Sequence, residues 1–92
     1  MSGTDAVKEE RVDVKLFVKD ECPRCPAAKQ VCEGLERVEV FDVTSADGLA
    51  EASFYSVLST PAVLVIGSDG AEVAGWRGEA PDRSTLTSIL TS

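Results

Sequence analysis

Residues 12–35 read VDVKLFVKDECPRCPAAKQVCEGL, and this stretch decides the fold. Residues 12–18 alternate between polar and apolar and then become apolar, which indicates a strand buried on one or both faces. The prolines and cysteines in residues 19–26 predict a turn. Gly34 is expected to end the helix that follows, in a left-handed conformation. That helix is predicted from apolar residues with the i, i+3, i+4, i+7 spacing of an amphipathic helix, namely Ala28, Val31, Cys32 and Leu35.

The rest of the sequence predicts three further strands and two further helices. Ser45 and Asp47 are suitable N-cap residues for one helix, and Pro81 suits the first position of the other. A Gly-Ser-Asp-Gly sequence at residues 67–70 predicts a hairpin turn. The predicted strands are residues 38–43, 62–66 and 71–76, and the predicted helices are residues 46–57 and 81–90.

The order β-α-β-α-β-β-α predicts an α/β fold, with helices on both faces of a four-stranded mixed sheet. Strands joined through a helix are expected to run parallel with a right-handed crossover, and the last two strands to form an antiparallel hairpin. We expect residues 11–92 to form one domain, because a chain of 92 residues suits a single hydrophobic core. Residues 1–10 have no apolar core and are expected to be a disordered tail.

Composition excludes several classes of function. The net charge of −7, with no run of Lys and Arg, argues against nucleic acid or an anionic membrane as a partner. No secretory signal and no apolar stretch of about 18 residues is present, so we expect a cytoplasmic protein. We also expect a monomer. The chain has three cysteines and no histidine. This count fits a disulfide scaffold poorly and removes imidazole from both catalysis and metal binding.

Cys22 and Cys25 form a Cys-x-x-Cys motif between a predicted strand and a predicted helix, which indicates redox chemistry. Two intervening residues allow the sulfurs to bond across the first helical turn. A cysteine at the helix N-terminus is stabilised as a thiolate by free backbone N–H groups and the helix dipole. Cys25 lies on the apolar stripe three residues before Ala28, whereas Cys22 lies outside it. We therefore expect Cys22 to attack and Cys25 to resolve.

The residues around the first cysteine have opposite effects on its sulfur. Arg24 and the helix terminus favour a thiolate, whereas Asp20 and Glu21 oppose it, so the sequence leaves the reduction potential open. The two prolines also leave two helix starts open. A helix that begins at Pro23 lacks the hydrogen bond that Pro26 cannot donate, and a helix that begins at Pro26 loses nothing.

The third cysteine has its own alternatives. Cys32 lies seven residues after Cys25, about 10.5 Å along a helix, and bridged Cα atoms are seldom more than about 7 Å apart. We interpret it as a buried core residue, the alternative being a regulatory or third-ligand thiol. For the Cys22/Cys25 pair, the alternative is metal or iron–sulfur binding, for which the chain has too few ligands unless two subunits share a cluster. We expect no metal, and no cofactor besides the redox-active disulfide.

Together these motifs resemble the thioredoxin/glutaredoxin superfamily over nearly the whole predicted domain. Residues 16–43 are similar to a glutaredoxin's first strand, Cys-Pro-x-Cys turn, helix and second strand, with Arg24 where tyrosine is common. Residues 55–61 resemble the approach to the family's cis-proline. Residues 67–78 resemble its β-hairpin and the glycine-bearing turn after it. The resemblance implies a thioredoxin-like fold.

The resemblance also implies a substrate-binding loop and marks two departures. Pro61 would be the cis-proline opposite the cysteines, with Thr60 before it, and the alternative is an ordinary trans loop. A cis bond would leave the Thr60 backbone free to pair with an extended substrate. Leu16 replaces the buried aspartate of thioredoxins, so the usual aid to deprotonating the resolving thiol is missing. Glu21 replaces their tryptophan.

The implied function is reduction of protein disulfides through the Cys-Pro-Arg-Cys dithiol, tuned by Glu21, Pro23 and Arg24. The partners are then a disulfide-containing protein substrate and an upstream reductase, and use of glutathione is left open. Two alternatives remain: a metal or iron–sulfur carrier using the same thiols, and an adaptor with little turnover. Trp76 is interpreted as packing beneath a helix or contacting a partner. Arg77 is interpreted as solvated or as touching a substrate carboxylate.

Overall fold

The computed structural model of the chain describes residues 12–91, so the tail predicted for residues 1–10 lies outside the described residues. The predicted order β-α-β-α-β-β-α is confirmed. None of the helices in the described part has the length and apolarity needed to cross a bilayer. The elements are β1 (Asp13–Val18), α1 (Cys25–Cys32), β2 (Val38–Asp42), α2 (Ala46–Phe54), β3 (Ala62–Ile66), β4 (Glu72–Arg77) and α3 (Arg83–Thr91).

The four strands form one mixed sheet in the order β2-β1-β3-β4. β1 and β2 are parallel, and β3 and β4 form the predicted antiparallel hairpin. The expectation that strands joined through a helix run parallel is correct for β1 and β2 but wrong for β2 and β3. β3 pairs antiparallel with β1, on the side away from β2.

The direction of β3 follows from where the chain leaves β2 and where it enters β3. Val18 pairs with Asp42 at the end of β2, and the neighbouring Phe17 pairs with Ala62 at the start of β3. Both points therefore lie at one end of the sheet. After α2 the chain reverses at Ser56, which has a φ of +59°, and residues 57–61 return it to that end.

Apolar side chains form a core on each face of the sheet, as the predicted architecture requires. β3 is buried along its whole length, which explains its uninterrupted apolar sequence. On one face α1 and α3 cover Val14, Leu16, Val63 and Val65, with Leu86 of α3 among them. On the other face α2 and the loop after it cover Phe17, Leu64 and Ile66, with Ala52 and Val57 among them.

The ends of two helices differ from the prediction for local reasons. α2 ends at Phe54 rather than Val57, because the Val57 N–H donates to the Ala52 carbonyl at 2.7 Å and closes the helix. α3 begins at Arg83 rather than Pro81, because the Asp82 carbonyl accepts the first helical hydrogen bond. β2 ends one residue early, and β4 is shifted by one residue.

Three predicted helix and turn features are confirmed. Ser45 accepts a hydrogen bond from the Gly48 N–H at 3.0 Å and is the N-cap of α2, with Asp47 in its first turn. Gly34, just after α1, has a left-handed φ of +82°. The hairpin turn is closed by a hydrogen bond from the Gly67 N–H to the Ala71 carbonyl at 2.8 Å.

Candidate redox site

Cys22 and Cys25 form a disulfide between the end of β1 and the start of α1, with their Cα atoms 5.4 Å apart. We expected Cys22 to lie at the N-terminus of the helix. It lies one turn before the helix instead, because α1 begins at Cys25 with Arg24 as its N-cap. The Cys25 N–H donates instead to the Cys22 carbonyl at 3.2 Å. Pro26 then occupies the first turn of α1, where its missing N–H has no helical partner to lose. The later helix start is therefore the observed one.

The two sulfur-bearing residues differ in burial. Cys25 is 3% exposed and packs among the core residues beneath α1, whereas Cys22 is half-buried. A cleft of about 460 Å³ opens beside the disulfide and is lined by residues that include Lys19, Glu21 and Lys29. Reagents from solution therefore reach the disulfide from the Cys22 side.

The charged side chains at this cleft are not neutralised by ion pairs. Neither Lys19 nor Lys29 forms a salt bridge with another described residue. Arg24 donates only to the Gly78 carbonyl, at 3.4 Å. The cations elsewhere are engaged: Lys15 with Glu39 and Glu51, Arg37 with Asp13, Arg77 with Glu72, and Arg83 with the Glu33 carbonyl. The cations without an ion pair in the described part of the chain therefore lie near the disulfide, where the acidic Asp20 and Glu21 line the same cleft.

The loop predicted to bind substrate lies beside the redox turn. The Thr60–Pro61 peptide bond is cis, as the resemblance implied. The Pro61 carbonyl accepts a hydrogen bond from the Gly78 N–H at 2.8 Å, and the Gly78 carbonyl accepts the Arg24 contact. The Thr60 hydroxyl is buried without a hydrogen-bond partner. Gly78 thus connects the redox turn to the loop.

Sequence reasoning did not single out Gly78 as a residue of the site. It has a left-handed φ of +85°, and a Cβ atom at this position would lie 3.1 Å from the Ser59 hydroxyl oxygen. A glycine directly after a predicted strand was the available signal. Gly78 and Arg24 are 54 residues apart in the sequence, so no local sequence pattern predicts their contact.

Two core residues near the disulfide agree with the sequence interpretation. Leu16 is fully buried in the cluster that includes Cys25, and the described residues contain no buried charged side chain. Cys32 is 4% exposed and free, and burial raises the pKa of its thiol, with Arg83 acting weakly in the opposite direction. These facts support the core interpretation of Cys32. Within the same residues, His, Cys, Asp and Glu side chains form no group of three that could hold a metal ion.

The residues at the end of β4 have structural contacts. Trp76 is half-buried and packs against the core beneath α1 and α3, which supports the packing interpretation. Arg77 donates to both carboxylate oxygens of Glu72, at 2.7 and 3.0 Å, and to the Tyr55 carbonyl at 2.9 Å. Arg77 is exposed, which agrees with the solvated interpretation, and its guanidinium is engaged by Glu72 and Tyr55.

Comparison with known proteins finds similarity by sequence and by structure. No family model matches the chain. A thioredoxin from Methanocaldococcus jannaschii is 31% identical over 62 residues, which cover 62% of this chain and 73% of that protein. A mutant thioredoxin from Halobacterium salinarum NRC-1 superposes with a TM-score of 0.73 at 26% identity, covering 98% of this chain and 81% of the other. A thioredoxin from Thermus thermophilus superposes with a TM-score of 0.62 at 23% identity, covering 86% and 71%.

Proposed function

Because the chain belongs to the thioredoxin family, we propose that Cys22 is its nucleophile and Cys25 its resolving thiol. The family and the Cys22–Cys25 pair make the protein a thiol–disulfide oxidoreductase. The single observation that supports the division of roles is the difference in burial. Only the half-buried Cys22 can meet a sulfur atom of another protein, whereas Cys25 is 3% exposed.

The reaction follows from this arrangement in two exchanges. The Cys22 thiolate attacks one sulfur of a substrate disulfide, forms a mixed disulfide and releases the other substrate sulfur as a thiolate. The Cys25 sulfur then attacks Cys22 and expels the remaining substrate thiolate. Two electrons have passed to the substrate, and the Cys22–Cys25 disulfide has formed. The dithiol is itself the redox group, so the cycle calls for no metal or added cofactor.

We propose disulfide-containing proteins as substrates and an upstream reductase as the source of electrons. Thr60 and Pro61 lie next to the redox turn through Gly78, where an extended substrate segment can lie against the Thr60 backbone. Leu58, two residues before Thr60, is 94% exposed. A protein substrate would cover this apolar side chain, whereas a small-molecule disulfide would leave it in contact with water. Glu21, Pro23 and Arg24 tune the reactivity of the sulfurs.

The setting of this activity is also part of the proposal. A net charge of −7 opposes association with nucleic acid and anionic membranes. We propose a monomer acting in the cytoplasm, where a reducing environment keeps the dithiol available.

Trapping of mixed disulfides tests the division of roles. Cys25→Ser should accumulate a mixed disulfide with substrate, because the resolving sulfur is gone, whereas Cys22→Ser should trap nothing. Cys32→Ser is the matched control, since it removes a buried thiol outside the motif and should leave turnover unchanged. Equal trapping by the Cys22→Ser and Cys25→Ser variants would refute the assignment.

A further inference from the structure

Glu21, the residue directly before Cys22, has a left-handed backbone conformation with a φ of +60°. This conformation is unfavourable for an L-residue with a Cβ atom, because the Cβ approaches the following carbonyl oxygen. Glu21 is exposed, and its side chain forms no hydrogen bond or ion pair with another described residue. The side chain therefore does not hold the backbone in this conformation, and its cause must lie in the chain around it.

The chain is fixed on both sides of Glu21. Val18 is buried at the end of β1, and its carbonyl accepts a hydrogen bond at 3.0 Å from the residue after β2. Cys25 is buried as the first residue of α1. The disulfide then holds Cys22 with its Cα atom 5.4 Å from that of Cys25. Residues 19–21 join the end of β1 to this cysteine, which is held by the disulfide and by the hydrogen bond from the Cys25 N–H to the Cys22 carbonyl.

Ser56 has a similar conformation for a different reason. Ser56 and Glu21 are the two non-glycine residues with positive φ among residues 12–91, and the φ of Ser56 is +59°. Ser56 follows α2, where its N–H donates to the Ser53 carbonyl at 3.2 Å and the Val57 N–H donates to the Ala52 carbonyl at 2.7 Å. A left-handed residue in this arrangement is a common helix ending. It involves no sulfur, so Ser56 is a matched control for Glu21.

We propose that the closed Cys22–Cys25 disulfide imposes the left-handed conformation on Glu21, which makes Glu21 a positioning residue for the redox reaction. A reducing dithiol breaks the S–S bond by giving two electrons and two protons to the two sulfurs, and itself becomes a disulfide. Cys22 is then held to Cys25 only by the hydrogen bond from the Cys25 N–H to the Cys22 carbonyl, and the Glu21 backbone relaxes. The unfavourable conformation belongs to the disulfide form alone, so it shifts the equilibrium towards the dithiol and makes the protein more oxidising.

The test compares the redox equilibria of variants at Glu21 in dithiothreitol or glutathione buffers. Glu21→Gly removes the backbone cost, and Glu21→Asn reduces it without adding the freedom of glycine. Glu21→Gln keeps the cost but removes the negative charge. Loss of that charge favours the Cys22 thiolate and hence the reduced protein. This effect is opposite to the shift towards the disulfide that removal of the backbone cost should cause. Ser56→Gly removes a similar cost away from the disulfide.

Relative to Glu21→Gln, we expect Glu21→Gly to shift the equilibrium towards the disulfide by about five- to thirty-fold, and Glu21→Asn by less in the same direction. Each tenfold shift corresponds to about 30 mV in the potential of a two-electron couple. Ser56→Gly should leave the equilibrium unchanged. Urea unfolding of both redox forms provides a second readout, in which Glu21→Gly should stabilise the oxidised protein more than the reduced protein.

Two results would overturn the proposal. The first is a redox equilibrium of Glu21→Gly equal to that of Glu21→Gln, and the second is equal stabilisation of the oxidised and reduced proteins by Glu21→Gly. The proposal rests on the reversible dithiol–disulfide couple of the proposed function. A wild-type protein without such a couple would refute that function directly, and this outcome is distinct from an unshifted equilibrium.

Discussion

The Arg24 guanidinium lies 3.4 Å from the carbonyl oxygen of Gly78, across 54 residues of sequence. The same glycine donates its N–H to the Pro61 carbonyl at 2.8 Å. One residue therefore contacts both the redox turn and the cis-proline loop, through its two backbone polar groups. The geometry of the site depends on this connection as well as on the two cysteines.

Arg24 should increase the reactivity of the Cys22 thiol in the reduced protein and contribute little to the free energy of unfolding. Its positive charge lies two residues from Cys22 and favours the thiolate, whereas an exposed contact of 3.4 Å contributes little to folding. We expect Arg24→Met to slow alkylation of Cys22 by iodoacetamide several-fold at neutral pH, while the free energy of unfolding falls by less than about 1 kcal/mol. Arg24→Lys should retain most of the rate. Arg37→Met, which removes an arginine paired with Asp13, should not change it.

Gly78→Ala should disturb the loop as well as the turn. The left-handed conformation alone costs an alanine about 1–2 kcal/mol, and the new Cβ atom would lie 3.1 Å from the Ser59 hydroxyl oxygen. Gly70 has a φ of +86° with open space around it, so Gly70→Ala measures the backbone cost alone. We expect both variants to lose stability in urea unfolding and only Gly78→Ala to reduce disulfide-reductase activity. Equal activity in the two variants would contradict the role given to Gly78.

Cys32 should make stability depend on pH in the alkaline range. Burial raises the pKa of this thiol in the folded protein above its ordinary value of 9.0. The unfolded chain then loses its proton first, so the stabilisation is complete below pH 9.0 and declines as the pH rises beyond it. Wild-type protein should therefore lose more stability than Cys32→Ala between neutral and alkaline pH in urea unfolding. Parallel curves for the two proteins would exclude this linkage.

The ion pair between Glu72 and Arg77 should contribute in the opposite pH range. Hydrogen bonds from Arg77 lower the pKa of Glu72 below its ordinary value of 4.5. The stabilisation is present above pH 4.5 and is lost as the pH falls through the lowered value. Both side chains are 32% exposed, so solvent limits the effect to about 0.5 kcal/mol. Acid unfolding of Glu72→Gln should show a correspondingly weaker pH dependence, and added salt should reduce the difference.

Local sequence patterns predicted the elements because burial has a simple period along each one. β3 was predicted with its observed bounds, Ala62–Ile66, since an uninterrupted apolar run has one interpretation beside a proline and a glycine. The redox pair was predicted from its Cys-x-x-Cys spacing between a predicted strand and a predicted helix, and the burial of Cys25 from the apolar stripe that includes Ala28. In these cases a few neighbouring residues carry the whole signal.

Features that depend on distant contacts were not predicted. The antiparallel direction of β3 depends on the chain reversal at Ser56, a residue with no unusual sequence signal. The engagement of Arg77 depends on Glu72 and on the end of α2, which only the folded sheet brings together. The start of α1 is a local feature that the two prolines left open: Pro26 has no N–H for the Cys22 carbonyl, which accepts from the Cys25 N–H instead.

The redox turn, residues 19–24, contains no fully buried side chain, whereas the residues at its two ends, Val18 and Cys25, are core residues. The turn therefore carries chemical information, Val18 carries folding information, and Cys25 carries both. This turn can be exchanged for another sequence of the same length without repacking the interior, provided the first cysteine is kept. The scaffold is thus open to redesign of its redox behaviour by grafting a single short loop.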